Sequence, residues 1–163
     1  MIVREFQSSD WPGIWPFLHD IVAAGETYCW PTDSTEAEAR AWWMHGPSGR
    51  VFVAEDDDDR ILGTAELHPN QAGGGSHIAN AGFMVDATAA GRGVGRALAV
   101  HVIENARADG FLGMQFNAVV ATNVAAVHLW ESLGFRIMTT IPGAFAHPTE
   151  GYVGLHVMFR ELD

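Results

Sequence analysis

A chain of 163 residues (17.7 kDa) suits one domain with a real core, residues 1–163, and is too short for two ordinary ones; its 48% hydrophobic content, with six Trp and nine Phe, excludes a disordered polar chain. The formal net charge is -11, and all nine basic residues are Arg with no basic stripe among them, so a phosphate backbone is repelled and a nucleic-acid partner is excluded. No apolar run approaches the ~18 residues that span a bilayer, and the opening Met1-Ile2-Val3-Arg4-Glu5 lacks the apolar run of a signal peptide, so no membrane partner and a cytoplasmic location are expected.

Ile2 to Phe6 reads as a short strand. Asp10 offers an N-cap, with Pro12 in the first turn, for a helix that reaches Ala24 and stops at Gly25. After the irregular Glu26-Thr27-Tyr28-Cys29-Trp30-Pro31, Ser34 or Thr35 caps a second helix to His45. The single Cys29 excludes an intrachain disulfide and a cysteine-based zinc cluster, and is expected to be buried filler. Val51 to Glu55 and Arg60 to His68 alternate as strands around the acidic turn Asp56-Asp57-Asp58-Asp59, a solvated hairpin connection without the calcium-loop pattern. A glycine-rich loop, Asn70 to Ser76, leads to a strand from His77 to Val85. The next helix runs from Arg92 to Asp109, with Val94, Leu98 and Val102 at helical spacing. Met114 to Val120 is a strand, Asn123 to Leu133 a helix stopped by Gly134, and Phe135 to Ile141 and Tyr152 to Glu161 are strands flanking a loop with Pro142, Gly143 and Pro148. The order βααβββαβαββ predicts an α/β fold with helices on a mixed sheet of six to seven strands, mostly antiparallel and parallel in the middle.

The most informative segment is Ala90-Gly91-Arg92-Gly93-Val94-Gly95-Arg96, between a strand and an apolar helix. Glycines let successive backbone N–H groups face one anion, the helix N-terminus adds unpaired donors, and Arg92 and Arg96 add charge, which together suit a pyrophosphate. A dinucleotide fingerprint needs a third glycine where Arg96 or Leu98 stands, and a P-loop needs a lysine the chain does not contain, so both common nucleotide readings fail.

Ala79 to Val85 followed by Gly91-Arg92-Gly93-Val94-Gly95-Arg96-Ala97-Leu98 resembles the acetyl-coenzyme A motif of the GNAT acetyltransferases, Gln/Arg-x-x-Gly-x-Gly/Ala, with Ala90 in the first position. Asn123 to Phe135 resembles the family's second motif, Asn-x-x-Ala-x-x-Leu-Tyr-x-x-Leu-Gly-Phe, with Trp130 where the tyrosine usually stands. The resemblance implies a GNAT fold and an N-acetyltransferase that moves the acetyl group of acetyl-CoA directly onto the amine of a small molecule, without a metal. It implies that the backbone of Phe83, Met84 and Val85 bonds the pantetheine arm, that residues 91 to 96 hold the pyrophosphate, that Asn123 reaches the pantetheine, and that Trp130 packs beside it. It places Asn80 where some members carry a glutamate base; with the tyrosine missing, either the thiolate leaves unprotonated or through water, or another hydroxyl such as Tyr28 or Tyr152, both expected to line the substrate site, serves. Homodimers are common in the family.

An amide cannot take a proton at neutral pH, so Asn80 is expected to anchor the acceptor. A base is sought among carboxylates and imidazoles near the splayed middle of the sheet: Glu66 and Glu26 are the candidates, with Glu26 preferred as a substrate contact. The eight His show no His-x-x-x-His pair and no cluster, so no metal is implied. Gly25-Glu26-Thr27-Tyr28, and the pairing of Asn117 with Asn123, also resemble the branch acting on small amino acids and their toxic analogues. The rival reading is a catalytically silent domain that binds acyl-CoA as a sensor or interaction module.

Overall fold

The computed structural model describes residues 1–163. Seven strands form one sheet in the order β1-β2-β3-β4-β5-β7-β6, with β1 (Ile2–Glu5), β2 (Arg50–Glu55), β3 (Ile61–Pro69), β4 (Ile78–Val85), β5 (Gly113–Val120), β6 (Arg136–His147) and β7 (Gly151–Glu161). Helices α1 (Trp11–Ala24) and α2 (Glu36–Met44) follow β1, α3 (Val94–Ala108) follows β4, and α4 (Val124–Ser132) follows β5. Only β4 and β5 pair in parallel; every other neighbouring pair is antiparallel.

Local chemistry explains the ends of the elements. Thr35 rather than Ser34 caps α2, in a capping box whose return partner is Glu38. Gly25, at φ 67°, terminates α1 in the left-handed conformation. Asp10 precedes α1 but does not cap it: its carboxylate accepts two hydrogen bonds from the Arg4 guanidinium, at 2.8 and 2.9 Å, and one from the Gln7 amide at 2.7 Å. The acidic turn is solvated as expected, with the Asp56 side chain accepting from the amides of Asp58 and Arg60.

The two faces of the sheet carry separate cores. Trp11, Ile14, Leu18 and Val22 of α1 and Ala39 and Trp43 of α2 pack on Val51, Val53 and Met84. On the opposite face Val94, Leu98, Val102 and Ile103 of α3, with Trp130 of α4, pack on Leu62, Ala65, Ala79, Ala81 and Phe116. Helices therefore cover both faces.

One expectation fails in the last hairpin. The segment with Pro142 and Gly143 is strand rather than loop, because β6 runs on to His147. As β6 is the sheet edge and its register with β7 shifts between Ile141 and Phe145, a bulge absorbs the residue that cannot donate a ladder bond. No helix is long and apolar enough to cross a membrane.

Candidate functional site

β4 and β5 share only two register pairs, Ile78 with Gly113 and Ala79 with Met114, and part beyond them as β5 turns to β7. β4 meanwhile stays paired with β3 from Pro69–Ala79 to Gly63–Val85. Main-chain groups of alternate residues on β4 thus face a gap with no strand to satisfy them. Phe83 faces it: its N–H donates to the Tyr28 hydroxyl and its carbonyl accepts from the same hydroxyl, both at 3.0 Å. Alternation places Val85 on the gap side with Phe83 and turns Met84 toward β3, where it pairs with Thr64 and buries its side chain. Of the three residues expected to offer main-chain bonds to pantetheine, Met84 is therefore misplaced by one step of the pleat.

At the far end of β4 the chain turns through Asp86, whose carboxylate caps Thr88 and pairs with Arg60 at 2.7 Å. Gly91 (φ 74°) and Gly93 (φ 79°) adopt the left-handed conformation that glycine alone takes freely, and Gly93 is the N-cap of α3. The helix therefore begins at Val94, later than expected. Its first satisfied amide is Ala97, bonded to the Gly93 carbonyl at 3.0 Å, which leaves Val94, Gly95 and Arg96 with donors directed out of the helix end. Arg92 is exposed, and Arg96 donates to Ser132 of α4 at 2.6 Å, tying the loop to the helix beside it. Three unpaired backbone donors at a helix N-terminus are an arrangement that suits an anion.

Asn123 accepts from the Ala126 amide at 3.3 Å and so caps α4. Trp130 is 6% exposed and packs against Phe83, Phe116 and Phe135, with ring centroids 4.8, 4.7 and 6.0 Å away. Its indole lines the gap from the α4 side and carries no hydroxyl.

The opposite face holds titratable groups. Glu66 of β3 stands directly across from Gly82 of β4 and is 6% exposed. A Cβ added at Gly82 would lie 2.6 Å from Glu66 Oε1, 3.2 Å from the Trp43 ring and 3.3 Å from the Tyr28 hydroxyl, so these three side chains meet over that glycine. Trp43 is fixed by its indole N–H, which donates to Thr64 at 3.1 Å. Burial, and then the negative charge of Glu66, push the Tyr28 phenol well above the ordinary tyrosine range and keep its proton on.

Asn80, opposite His68, is half-buried and folds its amide oxygen back onto the Ala81 N–H at 2.7 Å. Glu26 and Tyr152 do not join them. Glu26 is exposed and makes no hydrogen bond, and Tyr152, 82% exposed, lies on the last hairpin opposite Ala146. Asn117 pairs with Asn70 at 2.7 Å rather than with Asn123. Cys29 is exposed rather than buried, and partial burial lifts its thiol pKa.

The expectation that the histidines form no cluster is also corrected. His45 Nε2 and His68 Nε2 lie 3.2 and 3.5 Å from Glu66 Oε2, and the two imidazoles stack with centroids 3.8 Å apart. Glu66 and His68 sit two apart on one strand and so share a face, which their spacing shows. His45 arrives from the end of α2 with φ 49°, and nothing in its spacing announces it.

The family described as "Acetyltransferase (GNAT) family" matches residues 15–135. The chain is 38% identical over 98 residues to N-acetyltransferase aca1 of Schizosaccharomyces pombe, covering 60% of this chain and 47% of that protein. It is 34% identical over 107 residues to the mycothiol acetyltransferase of Kocuria rhizophila, 64% of this chain and 34% of that protein. The chain thus spans half or less of the length of these curated relatives. Among solved structures, a GCN5-related N-acetyltransferase from Kribbella flavida superposes with a TM-score of 0.95 at 54% identity, covering 99% of this chain and 97% of that one. The phosphinothricin acetyltransferase Pat of Sinorhizobium meliloti, in complex with AcCoA, shares the fold at TM-score 0.87 and 20% identity, over 99% and 88% of the two chains.

This chain belongs to the GNAT acetyltransferase family. Members of that class are N-acetyltransferases that take the acetyl group from acetyl-CoA and need no metal for the transfer.

Proposed function

We propose that this chain transfers the acetyl group of acetyl-CoA to the amine of a small molecule, with Glu66 as the base, Tyr28 as a hydrogen-bond donor and Asn80 as an acceptor anchor. The observation that carries the reading is the meeting of Tyr28 and Glu66 over Gly82, beside the gap-facing main chain of Phe83. The residues suit acetyl-CoA: glycine-shaped backbone and unpaired helix donors for the pyrophosphate, and main-chain groups of β4 for the extended arm.

An amine reaches the site at neutral pH as an ammonium ion and must lose a proton before it attacks. Glu66 takes that proton, the nitrogen adds to the thioester carbon, and the carbonyl electrons move to oxygen. The resulting oxyanion is stabilised by main-chain donors of β4. When the carbon–sulfur bond breaks, Tyr28 turns its single O–H from the Phe83 carbonyl to the thiolate, and its raised pKa suits it to donate that hydrogen bond rather than to surrender its proton. The nitrogen of the adduct gives up its second proton to the leaving sulfur, and the proton held by Glu66 passes to water, so that amide, thiol and free carboxylate result. Trp130 packs beside this path and takes no part in it.

An acceptor bearing positive charge fits a buried carboxylate within an acidic protein. Release of free thiol, measured against amino acids, their analogues, polyamines and aminoglycosides, tests the proposal. Turnover with at least one of them is expected. Coenzyme binding with no thiol released from any of them would favour the silent, coenzyme-binding reading instead.

A further inference from the structure

Acetyl transfer leaves His45 and His68 without a task, although both lie within 3.5 Å of its base. His68 Nδ1 lies 2.9 Å from the Pro69 carbonyl oxygen, a pure acceptor, so in the neutral imidazole that nitrogen carries the proton and Nε2 presents a lone pair. Nε2 lies 3.5 Å from Glu66 Oε2, and His45 Nε2 lies 3.2 Å from the same oxygen. Glu66 Oε2 is shut off from solvent and accepts no hydrogen bond, even with two ring nitrogens this close. The ring nitrogens therefore aim beside the carboxylate oxygen rather than at it. A lone pair set against a buried carboxylate oxygen is unfavourable unless a cation lies off the line joining them.

We propose that His45, Glu66 and His68 form a binding site for a divalent transition-metal ion of the zinc type. With metal–nitrogen and metal–oxygen lengths of about 2.1 Å, two ligands of a tetrahedral ion stand roughly 3.4 Å apart, the separation at which both imidazole nitrogens already stand from Glu66 Oε2. The three donor atoms lie within 4.8 Å of one another. The bond from His68 Nδ1 to a backbone carbonyl is the outer contact that fixes the tautomer of a ligating histidine. Closure falls to His45: the stacked rings are 20° from parallel, and its side chain, 31% exposed, has room to turn its nitrogen toward the shared point. Three protein ligands leave a fourth position for water or another small ligand.

The ion has no role in acetyl transfer. On the reading above, in which Glu66 is the base, it withholds that carboxylate from the amine and inhibits the enzyme. Titration of Zn2+ and Co2+ into the full chain, followed by calorimetry and by the visible bands of Co2+, tests the site, with Mg2+ as a control that prefers all-oxygen ligands. One equivalent of Zn2+ or Co2+ is expected to bind. His68→Gln, and His45→Asn, which tolerates the left-handed backbone at this position, should each weaken binding by at least about tenfold while acetyl-CoA binding is kept. Turnover should fall with occupancy and return with a chelator. Absence of saturable binding, or unchanged binding in both histidine variants, overturns the site. So does a cobalt–thiolate band that disappears in Cys29→Ser. Binding without effect on turnover overturns the inhibitory role. Because binding is read without turnover, a chain that holds the ion yet acetylates no amine refutes the acceptor reading and leaves the metal site standing.

Discussion

Replacing Glu66 with Gln separates charge and basicity from shape. The carboxylate occupies the space over Gly82, within 2.6 Å of where a Cβ would stand, and the isosteric amide fits the same slot. Its new NH2 group faces the lone pair of His68 Nε2, so no donor is stranded and stability should shift by no more than about 1 kcal/mol. For a chain of this length that is roughly 2–4 °C in Tm. The chemical step is another matter. A positioned general base contributes about 10²- to 10⁴-fold, or about 3–5 kcal/mol at 1.36 kcal/mol per factor of ten. In thiol-release kinetics, kcat/KM for the amine should therefore fall at least about a hundredfold near neutral pH, with the melting shift given by acetyl-CoA unchanged. The deficit should narrow as pH rises, because the solution then supplies neutral amine. Glu26→Gln, at an exposed position without a partner, should stay within about threefold of the parent. A Glu66→Gln enzyme as active as the parent at every pH would refute the assignment, and a collapse confined to Glu26→Gln would move the base to the loop after α1.

Gly93→Asp places a carboxylate and an unfavourable left-handed residue at the N-cap of α3; acetyl-CoA at about a hundred times its Kd should stabilise the parent by about 2.7 kcal/mol and this variant not at all, while NAD and ATP stabilise neither. An unchanged shift in the variant would remove residues 91–96 from the phosphate site. Trp130→Phe should keep turnover within about fivefold and lose about 1–2 kcal/mol in denaturant melts, because the indole packs against three aromatic rings; a loss of several hundredfold would give this position a part in the chemistry. The Arg4 guanidinium holds the Asp10 carboxyl below the usual carboxylate range. A folded-state pKa below the unfolded one contributes stability above pH ~4 that is lost as pH falls through the folded value. Asp10→Asn should therefore flatten the fall in stability below pH ~4, and equal acid slopes in melts from pH 7 to 2 would show that this pair does not govern it.

Order and type of element were legible because the periodicities are strong and the breaks carry their own chemistry. Thr35 and Glu38 spell a capping box, Gly25 and Gly134 close helices, and Val94, Leu98 and Val102 mark one buried stripe. The loop before α3 stood out in the sequence because Gly91 and Gly93, two apart, precede an apolar helix, and both take a left-handed φ. The β6 extension was hidden because Pro142 and Gly143 look like a turn, and only their place on an edge strand makes a bulge affordable there. The acceptor face was hardest to read. Glu26 lies beside Tyr28 in sequence, yet Tyr28 turns inward to Phe83 while Glu26 turns out to solvent. His45 reaches Glu66 through a contact between residues 21 apart, which no local pattern encodes.

Gly82 joins these levels. The glycine sits inside a strand, where it weakens the ladder and offers no packing of its own. Its backbone is not among the left-handed glycines, so conformation is not the reason for it. Space is the reason: any side chain at 82 would displace Glu66, Trp43 or Tyr28, each of which comes from a different element and reaches the site through the volume that is missing there. The strand gives up a side chain at the place where its main chain parts from β5, and the carboxylate and phenol enter from the neighbouring strand and the loop after α1. The Glu66 carboxylate and the Tyr28 phenol, the proposed base and hydrogen-bond donor, are thereby brought to the same side of β4, opposite the face on which α3 and Trp130 pack.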